Sequence, residues 1–144
     1  MIEKIIKYKN YNGQEKSRRC LFHLNTAEVT EWLSTDGDYG LDDRLNQILE
    51  ERNGAETIDI FKDLIARSYG EKSLDGETFL KTPDITNRFI CSAAYPELFN
   101  ELLTDAKKAA EFFVGILPHD LSIQVDKIMK EEALKEEQLE IKEG

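Results

Sequence analysis

The spacing of apolar residues near the N-terminus is that of β-strands. Ile2, Ile6 and Tyr8 fall on one face at a period of two, and Asn12-Gly13 follows them. Asn-Gly is a strong signal for a tight hairpin turn, because both residues tolerate positive φ. We therefore predict a β-hairpin whose return strand covers Lys16–Leu24. Its apolar face must pack on helices, because an isolated hairpin is only marginally stable.

Beyond the hairpin, apolar residues recur at helical spacing in about six short segments separated by turn-forming residues. The first segment begins at Asn25, and the spacing from Asn25 to Glu28 is that of a capping box. A later helix is expected to end near Tyr69 with Gly70 as its C′ residue, followed by a loop at 71–81. The other predicted helices are 41–52, 82–92, a segment starting at Pro96, a segment from Thr104-Asp105 to Gly115, and a segment from Leu121.

These elements predict an α+β fold that is mostly α, in which the N-terminal hairpin packs on about six short helices. Residues 1–120 are expected to form a single domain, because the chain has the length of one domain. After Met129 the sequence is strongly charged and its apolar residues are single and widely spaced. Residues 121–144 are therefore expected to form a solvated acidic helix or a partly disordered tail.

The formal charge of −10 is unevenly distributed along the 144 residues. Residues 1–24 carry six basic and two acidic side chains, a net of +4, whereas residues 25–120 carry nine basic and twenty acidic ones, a net of −11. An acidic body is repelled by phosphate backbones, so nucleic-acid binding is not expected. The basic residues of the hairpin are interpreted as protection against strand-to-strand aggregation or as a contact for an acidic partner.

The sequence also lacks the signals of membrane insertion and export. No run of about 18 or more apolar residues occurs, so no membrane contact through a spanning helix is expected. The first residues lack the continuous apolar segment and the small-residue cleavage site of a signal peptide. These observations predict a cytosolic protein.

The cysteines and histidines give little support for a metal or catalytic site. Cys20 and His23 have the spacing of half a zinc site, but they point to opposite faces of a strand. Cys91 and His119 are too far apart to supply the other half. The segment at 36–38 resembles the opening of a calcium loop, but the later ligand positions do not fit. With no phosphate loop or nucleophile elbow, we predict no enzyme activity, no cofactor and two free buried cysteines.

A cluster of apolar residues after Pro96 is the candidate partner-binding site. Phe112 and Phe113 are adjacent, about 100° apart around a helix, so both cannot lie at the centre of one apolar stripe. One of them is therefore a candidate for the margin of a contact surface. The cluster is interpreted either as core or as a groove for a partner helix, and it comprises Phe99, Leu102, Leu103, Phe112 and Phe113.

A series of short segments runs in order through most of the chain, and none of them is a catalytic signature. The segments are Tyr11-Asn12-Gly13, Asn25-Thr26-Ala27-Glu28, Phe61 to Ser73, Asp75-Gly76 with Phe79, Arg88-Phe89, Ala94 to Phe99 with Leu102, Asp105 to Ala110 with Phe112, and Gly115-Ile116-Leu117-Pro118. This ordered series resembles the tail assembly chaperones of long-tailed phages (siphoviruses) and prophages of Gram-positive bacteria. One departure is Cys91-Ser92-Ala93, where typical relatives have an acid.

The resemblance implies a protein that binds the tape measure protein and keeps this long helical chain soluble while the tail tube polymerises around it. It also implies action in the bacterial host cytoplasm and absence from the mature virion. The tail tube protein and a second copy of the chain are further candidate partners, and relatives often have a longer product made by ribosomal frameshifting. The alternative suggested by the acidic charge is a small inhibitor that mimics nucleic acid and occupies a host protein.

Overall fold

The computed structural model describes residues 1–34, 40, 43 and 55–143. The calcium-loop-like segment at 36–38 and, apart from Asp43, the helix predicted at 41–52 lie outside the described residues. Among the described residues, four strands and six helices form a mostly helical α+β fold, which confirms the predicted fold class. No described helix combines the length and the apolar character needed to cross a membrane.

A four-stranded antiparallel sheet begins the fold. The predicted hairpin is confirmed, since β1 (Ile2–Lys9) pairs with β2 (Glu15–Phe22) around a turn in which Gly13 has a φ of 78°. Two further strands, β3 (Tyr69–Lys72) and β4 (Phe79–Leu80), extend the sheet in the order β1-β2-β3-β4. The hairpin is therefore one half of a sheet whose other half comes from the middle of the chain.

The helices surround one face of this sheet. Asn25 caps the first helix in the predicted capping box, with the Asn25 side chain accepting from the Glu28 N–H at 2.8 Å. Thr82 caps a later helix through a single hydrogen bond, in which its side-chain oxygen accepts from the Ile85 N–H at 3.2 Å. The six described helices are α1 (Thr26–Leu33), α2 (Ala55–Ser68), α3 (Pro83–Ile90), α4 (Ala94–Thr104), α5 (Ala106–Ile116) and α6 (His119–Glu143).

The prediction of a helix end at Tyr69 followed by a loop was wrong. Helix α2 ends at Ser68, and Tyr69 is the first residue of β3, where its ring is buried. Gly70 is a strand residue rather than a helix C′ residue. Glycine is required there because a Cβ would lie 2.8 Å from the carbonyl oxygen of Leu80 on β4. The predicted turn at Asp75-Gly76 does occur, with a φ of 77° at Gly76, and it joins β3 to β4.

Two predicted helix boundaries were also wrong. Helix α4 begins at Ala94 rather than at Pro96, and proline is tolerated there because the first turn of a helix does not use its N–H groups. Gly115 does not end α5, which continues to Ile116. Instead, Gly115 lets β1 approach the helix, since a Cβ at this position would lie 2.7 Å from Cδ1 of Ile2.

Aromatic rings fill the core between the sheet and the helices. Phe22 on β2 is fully buried, and its ring centre lies 5.6 Å from that of Tyr69, 5.7 Å from that of Phe89 and 5.2 Å from that of Phe112. Such edge and tilted contacts contribute about 0.5–1.5 kcal/mol per pair beyond the burial itself. Helix α6 adds a buried Val125 to this core. The proposed boundary between a body at 1–120 and a tail stays a prediction.

Candidate functional site

The most apolar open cavity described lies between α5 and α6 and has a volume of about 650 Å³; it is called the α5–α6 groove below. Ala106, Ala110 and Val114 follow each other at four-residue intervals along α5, so they line one face of that helix. Their side chains are short, which leaves a trough beside α6. The full lining is Ala106, Lys107, Ala110, Glu111, Val114, Gly115, Asp126 and Met129.

The local sequence holds both walls of this groove in place. Asp105 caps α5 by accepting from the N–H groups of Lys107 and Lys108 at 3.0 and 3.2 Å. Nζ of Lys108 in turn lies 3.3 Å from Oε1 of Glu101, so an ion pair links α5 to α4. On the other wall, Val125 is fully buried and anchors α6 to the body. The groove is thus a preformed feature between two helices that are packed together.

The rim of the α5–α6 groove is charged, although its floor is apolar. Lys107 and Glu111 stand on the α5 side, and Asp126 stands on the α6 side. All three are exposed to solvent. An apolar floor with charges of both signs at its edges matches an amphipathic helix, which presents an apolar stripe flanked by polar residues.

The five residues predicted to bind a partner do not line this groove. Leu102, Phe112 and Phe113 are brought together in the core, with exposures of 0%, 2% and 0%. Phe99 and Leu103 are only partly buried against that core. The structure therefore separates the set into three core residues and two residues with remaining exposure, and the partner-binding role stays a prediction.

Phe99 and Leu103 belong to a stripe that also includes Tyr95. The three residues follow at four-residue intervals on α4, and all are partly buried. The ring centres of Tyr95 and Phe99 are 5.9 Å apart, and burial raises the pKa of the Tyr95 hydroxyl. This α4 stripe is a second surface with exposed apolar area, but it forms no cavity among the described pockets.

The groove residues were missed as a site, although the sequence carries a signal for them. The alanines at 106, 109 and 110 predict that another helix can approach α5 closely. Ala109 and Ala110 are buried, whereas Ala106 is exposed. Ala109 therefore packs only inside the protein, whereas Ala106 and Ala110 line the groove.

A cluster of partly buried polar groups around Lys81 has a structural role. Lys81 donates to Oε2 of Glu28 at 2.7 Å and to the backbone carbonyl oxygen of His23, so it links the β4 end to the cap of α1. Burial lowers the pKa of Lys81, and burial followed by the nearby positive charges lowers the pKa of His23. Nδ1 of His23 is buried and makes no hydrogen bond with a described residue.

The cysteines likewise suggest no chemistry. Cys20 is buried as predicted, and burial raises the pKa of its thiol, which disfavours the reactive thiolate. The prediction that Cys91 is buried was wrong, because Cys91 lies exposed just past the end of α3. In the described part of the chain, no three His, Cys, Asp or Glu residues are grouped so that they could hold a metal ion.

Comparison with known families identifies the kind of protein to which this groove belongs. The family model for phage tail assembly chaperones matches residues 1–143. The chain belongs to this family. A tail assembly chaperone acts in the host during assembly, interacts with tail proteins, and has a role that is not catalytic. The chain matches no curated protein and no solved structure.

Proposed function

We propose that this chaperone binds the tape measure protein and keeps it soluble while the tail tube assembles. The observation that carries the proposal is the α5–α6 groove, an apolar trough with a charged rim on a tail assembly chaperone. A tape measure protein is a long helical chain, and such a chain aggregates through its apolar stripes when it is not covered. The groove offers such a stripe a temporary place to bind.

The shape of the groove sets how the client helix binds. Small side chains at Ala106 and Ala110 allow the backbone of a client helix to approach α5 closely. Lys107 and Asp126 stand on opposite walls, so they can pair with charges on either side of the client stripe. Charge pairs at a solvated rim contribute mainly to orientation and to the association rate rather than to affinity. The client is therefore held with modest affinity and can be released to the growing tube.

The net charge of −10 supports the same role. Several chaperones bound along one client repel each other and repel other loaded clients, which opposes aggregation. We place this activity in the host cytoplasm, with the chaperone leaving before the virion is complete. The tail tube protein is a further candidate partner, because it takes over the client when the chaperone leaves.

The test is co-expression with the tape measure protein from the same phage or prophage. The chaperone is expected to raise the soluble yield of the tape measure protein and to co-elute with it on size exclusion. Ala106→Glu places a carboxylate in the groove and should lower both readouts, because a buried unpaired charge is costly. The variant should fold, since Ala106 is exposed and an acid in the first turn suits the helix dipole.

Ala27→Glu in the first turn of α1 is the matched control for Ala106→Glu. It makes the same charge change at an exposed helical position outside the groove, and it should leave capture unchanged. An unchanged tape measure yield with the wild-type chaperone, and no complex on size exclusion, would show that the proposal is wrong. Salt-sensitive capture of a host nucleic-acid-binding protein instead would favour the inhibitor alternative.

The residues predicted from the sequence give a second test of where the client binds. Phe99 and Leu103 are proposed as an additional contact on the α4 stripe, so Phe99→Ser should weaken capture while the protein remains folded. A charged residue at Phe112 or Phe113 should unfold the protein, because both side chains are buried in the core. Capture by a correctly folded Phe99→Ser variant at the wild-type level would remove the stripe from the client-binding surface.

A further inference from the structure

Along its outer edge, β1 has backbone groups that pair with no strand in the described part of the chain. β1 is the first strand in the sheet order, and no other described strand pairs with its far side. The Asn10 N–H donates to the Gln14 carbonyl oxygen at 2.9 Å, so the even-numbered residues of β1 direct their backbone groups toward β2. The N–H and C=O groups of Glu3, Ile5 and Lys7 therefore point away from the sheet.

Bonding between β2 and β3 confirms this alternation. Just past the end of β2, the His23 N–H donates to the Ser68 carbonyl oxygen at 2.8 Å. The odd-numbered residues of β2, such as Leu21, therefore direct their backbone groups toward β3. Its even-numbered residues, such as Phe22, are left to bond with the even-numbered residues of β1, such as Ile2. The two observations are independent and give the same set of outward-facing groups on β1.

The side chains beside this edge form a short pattern that is complementary to itself. Ile5 is 66% exposed, although isoleucine is a side chain that normally packs. Glu3 and Lys7 stand two residues to either side of it on the same face, and both are exposed. Glu3 thus places a negative charge on one side of Ile5, and Lys7 places a positive charge on the other side.

We propose that a second copy of this chain pairs with the β1 edge, antiparallel and about a two-fold axis at Ile5. In this register Ile5 faces Ile5 of the second copy, and Glu3 of each copy faces Lys7 of the other. The three opposing pairs supply about six backbone hydrogen bonds, two for each directly bonded pair. The product is a continuous sheet across two chains, with the exposed isoleucines packed together at its centre.

The side chains specify this register over its neighbours. A shift must be by two residues, because a shift by one would place outward-facing backbone groups opposite inward-facing ones. A shift of two residues in one direction places Ile5 opposite Glu3, and a shift in the other direction places it opposite Lys7. Each of these shifts loses the pairing of Ile5 with Ile5. A shift of four residues places Glu3 opposite Glu3 in one direction and Lys7 opposite Lys7 in the other. Lysines on an edge strand oppose pairing with most other strands. They still allow the one register in which each Lys7 faces Glu3 of the other copy.

The edge is also held ready for pairing by contacts within one copy. The Lys4 side chain donates a hydrogen bond to Glu101 of α4 at 3.1 Å. The absence of a side chain at Gly115 lets Ile2 pack directly on α5. Glu3 forms an ion pair with Arg19 at 2.8 Å in which both side chains are exposed, so the Glu3 carboxylate can also accept from Lys7 of a second copy. Because these contacts already hold β1 in place, the strand loses little conformational entropy when two copies pair, and this favours association.

The test is a concentration series of the full chain in sedimentation velocity or size exclusion with light scattering. The wild-type protein is expected to shift from monomer to dimer as its concentration rises. Ile5→Lys places two lysines opposite each other, and Lys7→Glu places a second carboxylate opposite Glu3 of the other copy. Each change should weaken the dimer roughly tenfold or more, because the opposing pairs that it alters become unfavourable. Lys16→Glu on β2 is the control for charge and should have no such effect.

A charge exchange makes the test specific for the register. Glu3→Lys and Lys7→Glu should each be monomeric alone, and mixing the two variants should form a heterodimer with every charge pair restored. A wild-type protein that stays monomeric overturns the proposal, as does a dimer that is unaffected by Ile5→Lys and Lys7→Glu. Failure of the mixed variants to associate overturns the register. None of these outcomes depends on capture of the tape measure protein.

Discussion

Replacing Gly70 by alanine tests the way β3 and β4 close the sheet. A Cβ at Gly70 would lie 2.6 Å from Cε1 of Phe79 and 2.8 Å from the carbonyl oxygen of Leu80. The Phe79 ring can turn aside, but the Leu80 oxygen belongs to the backbone that pairs with β3 through Glu71. The added methyl group therefore requires the two strands to separate.

The magnitude follows from the cost of overpacking. An extra methyl group in a packed site costs about 1–3 kcal/mol, and a clash with backbone belongs at the upper end of that range. At about 3 °C per kcal/mol for a chain of this size, Gly70→Ala should lower the Tm by about 6–9 °C. Thermal unfolding followed by circular dichroism measures this directly.

Replacing Gly70 by asparagine distinguishes a clash with the β4 backbone from the helix-cap role that the sequence suggests. If Gly70 were a helix C′ residue with positive φ, Gly70→Asn would be well tolerated. In a strand that approaches Leu80, asparagine should destabilise at least as much as alanine. Gly76→Asn is the control, because Gly76 has a φ of 77° and open space around it. A Gly70→Asn variant with the wild-type Tm would refute the reasoning.

Three further predictions concern His23, the cysteines and the aromatic core. Burial lowers the pKa of His23, so protonation favours the unfolded chain. The free energy of unfolding should be highest above pH of about 6.5 and fall as the pH drops toward the lowered pKa. His23→Gln should reduce this dependence in urea titrations. A thiol reagent should label Cys91 rapidly in the folded protein and Cys20 only after unfolding, and rapid labelling of both would contradict the structure. Phe22→Ala should lower the free energy of unfolding by about 3–5 kcal/mol in the same titrations, and a loss below about 1 kcal/mol would show that the site is not packed.

Signals that lie within a few neighbouring residues predicted the structure well. The Asn12-Gly13 turn and the capping box at Asn25 both occur as expected. Each depends on hydrogen bonds or φ preferences among residues that are close in sequence, so the rest of the fold does not need to be known. The hairpin and most of the helices follow from these signals and from apolar spacing.

The pairing of Leu21 with Gly70 could not be predicted in the same way. These residues are far apart in sequence, and nothing in Tyr69-Gly70-Glu71-Lys72 distinguishes a short strand from the end of a helix. The choice is made by β2, whose second edge needs a partner for its backbone groups. Local propensity is overridden here by a long-range hydrogen-bonding requirement.

The candidate site shows a related limit of apolar spacing. The sequence makes one of Phe112 and Phe113 a candidate for the margin of a contact surface, because adjacent helical residues cannot both lie at the centre of one apolar stripe. Both are buried because α5 is covered from two directions: Phe112 packs on Phe22 of the sheet at 5.2 Å, and Phe113 packs on Trp32 of α1 at 5.8 Å. Periodicity describes one buried face of a helix, whereas the number of covered faces is set by tertiary packing.

Helix α5 uses small residues for two different purposes along its length. Near its C-terminal end, Gly115 is required by the fold, since any side chain there would meet Ile2 of β1. Near its N-terminal end, Ala106 is exposed and lines the α5–α6 groove. A larger apolar residue at 106 would cover more of the groove floor and would stabilise the isolated chain. Stability alone therefore does not explain the open groove, and this agrees with the proposal that the groove binds a client helix.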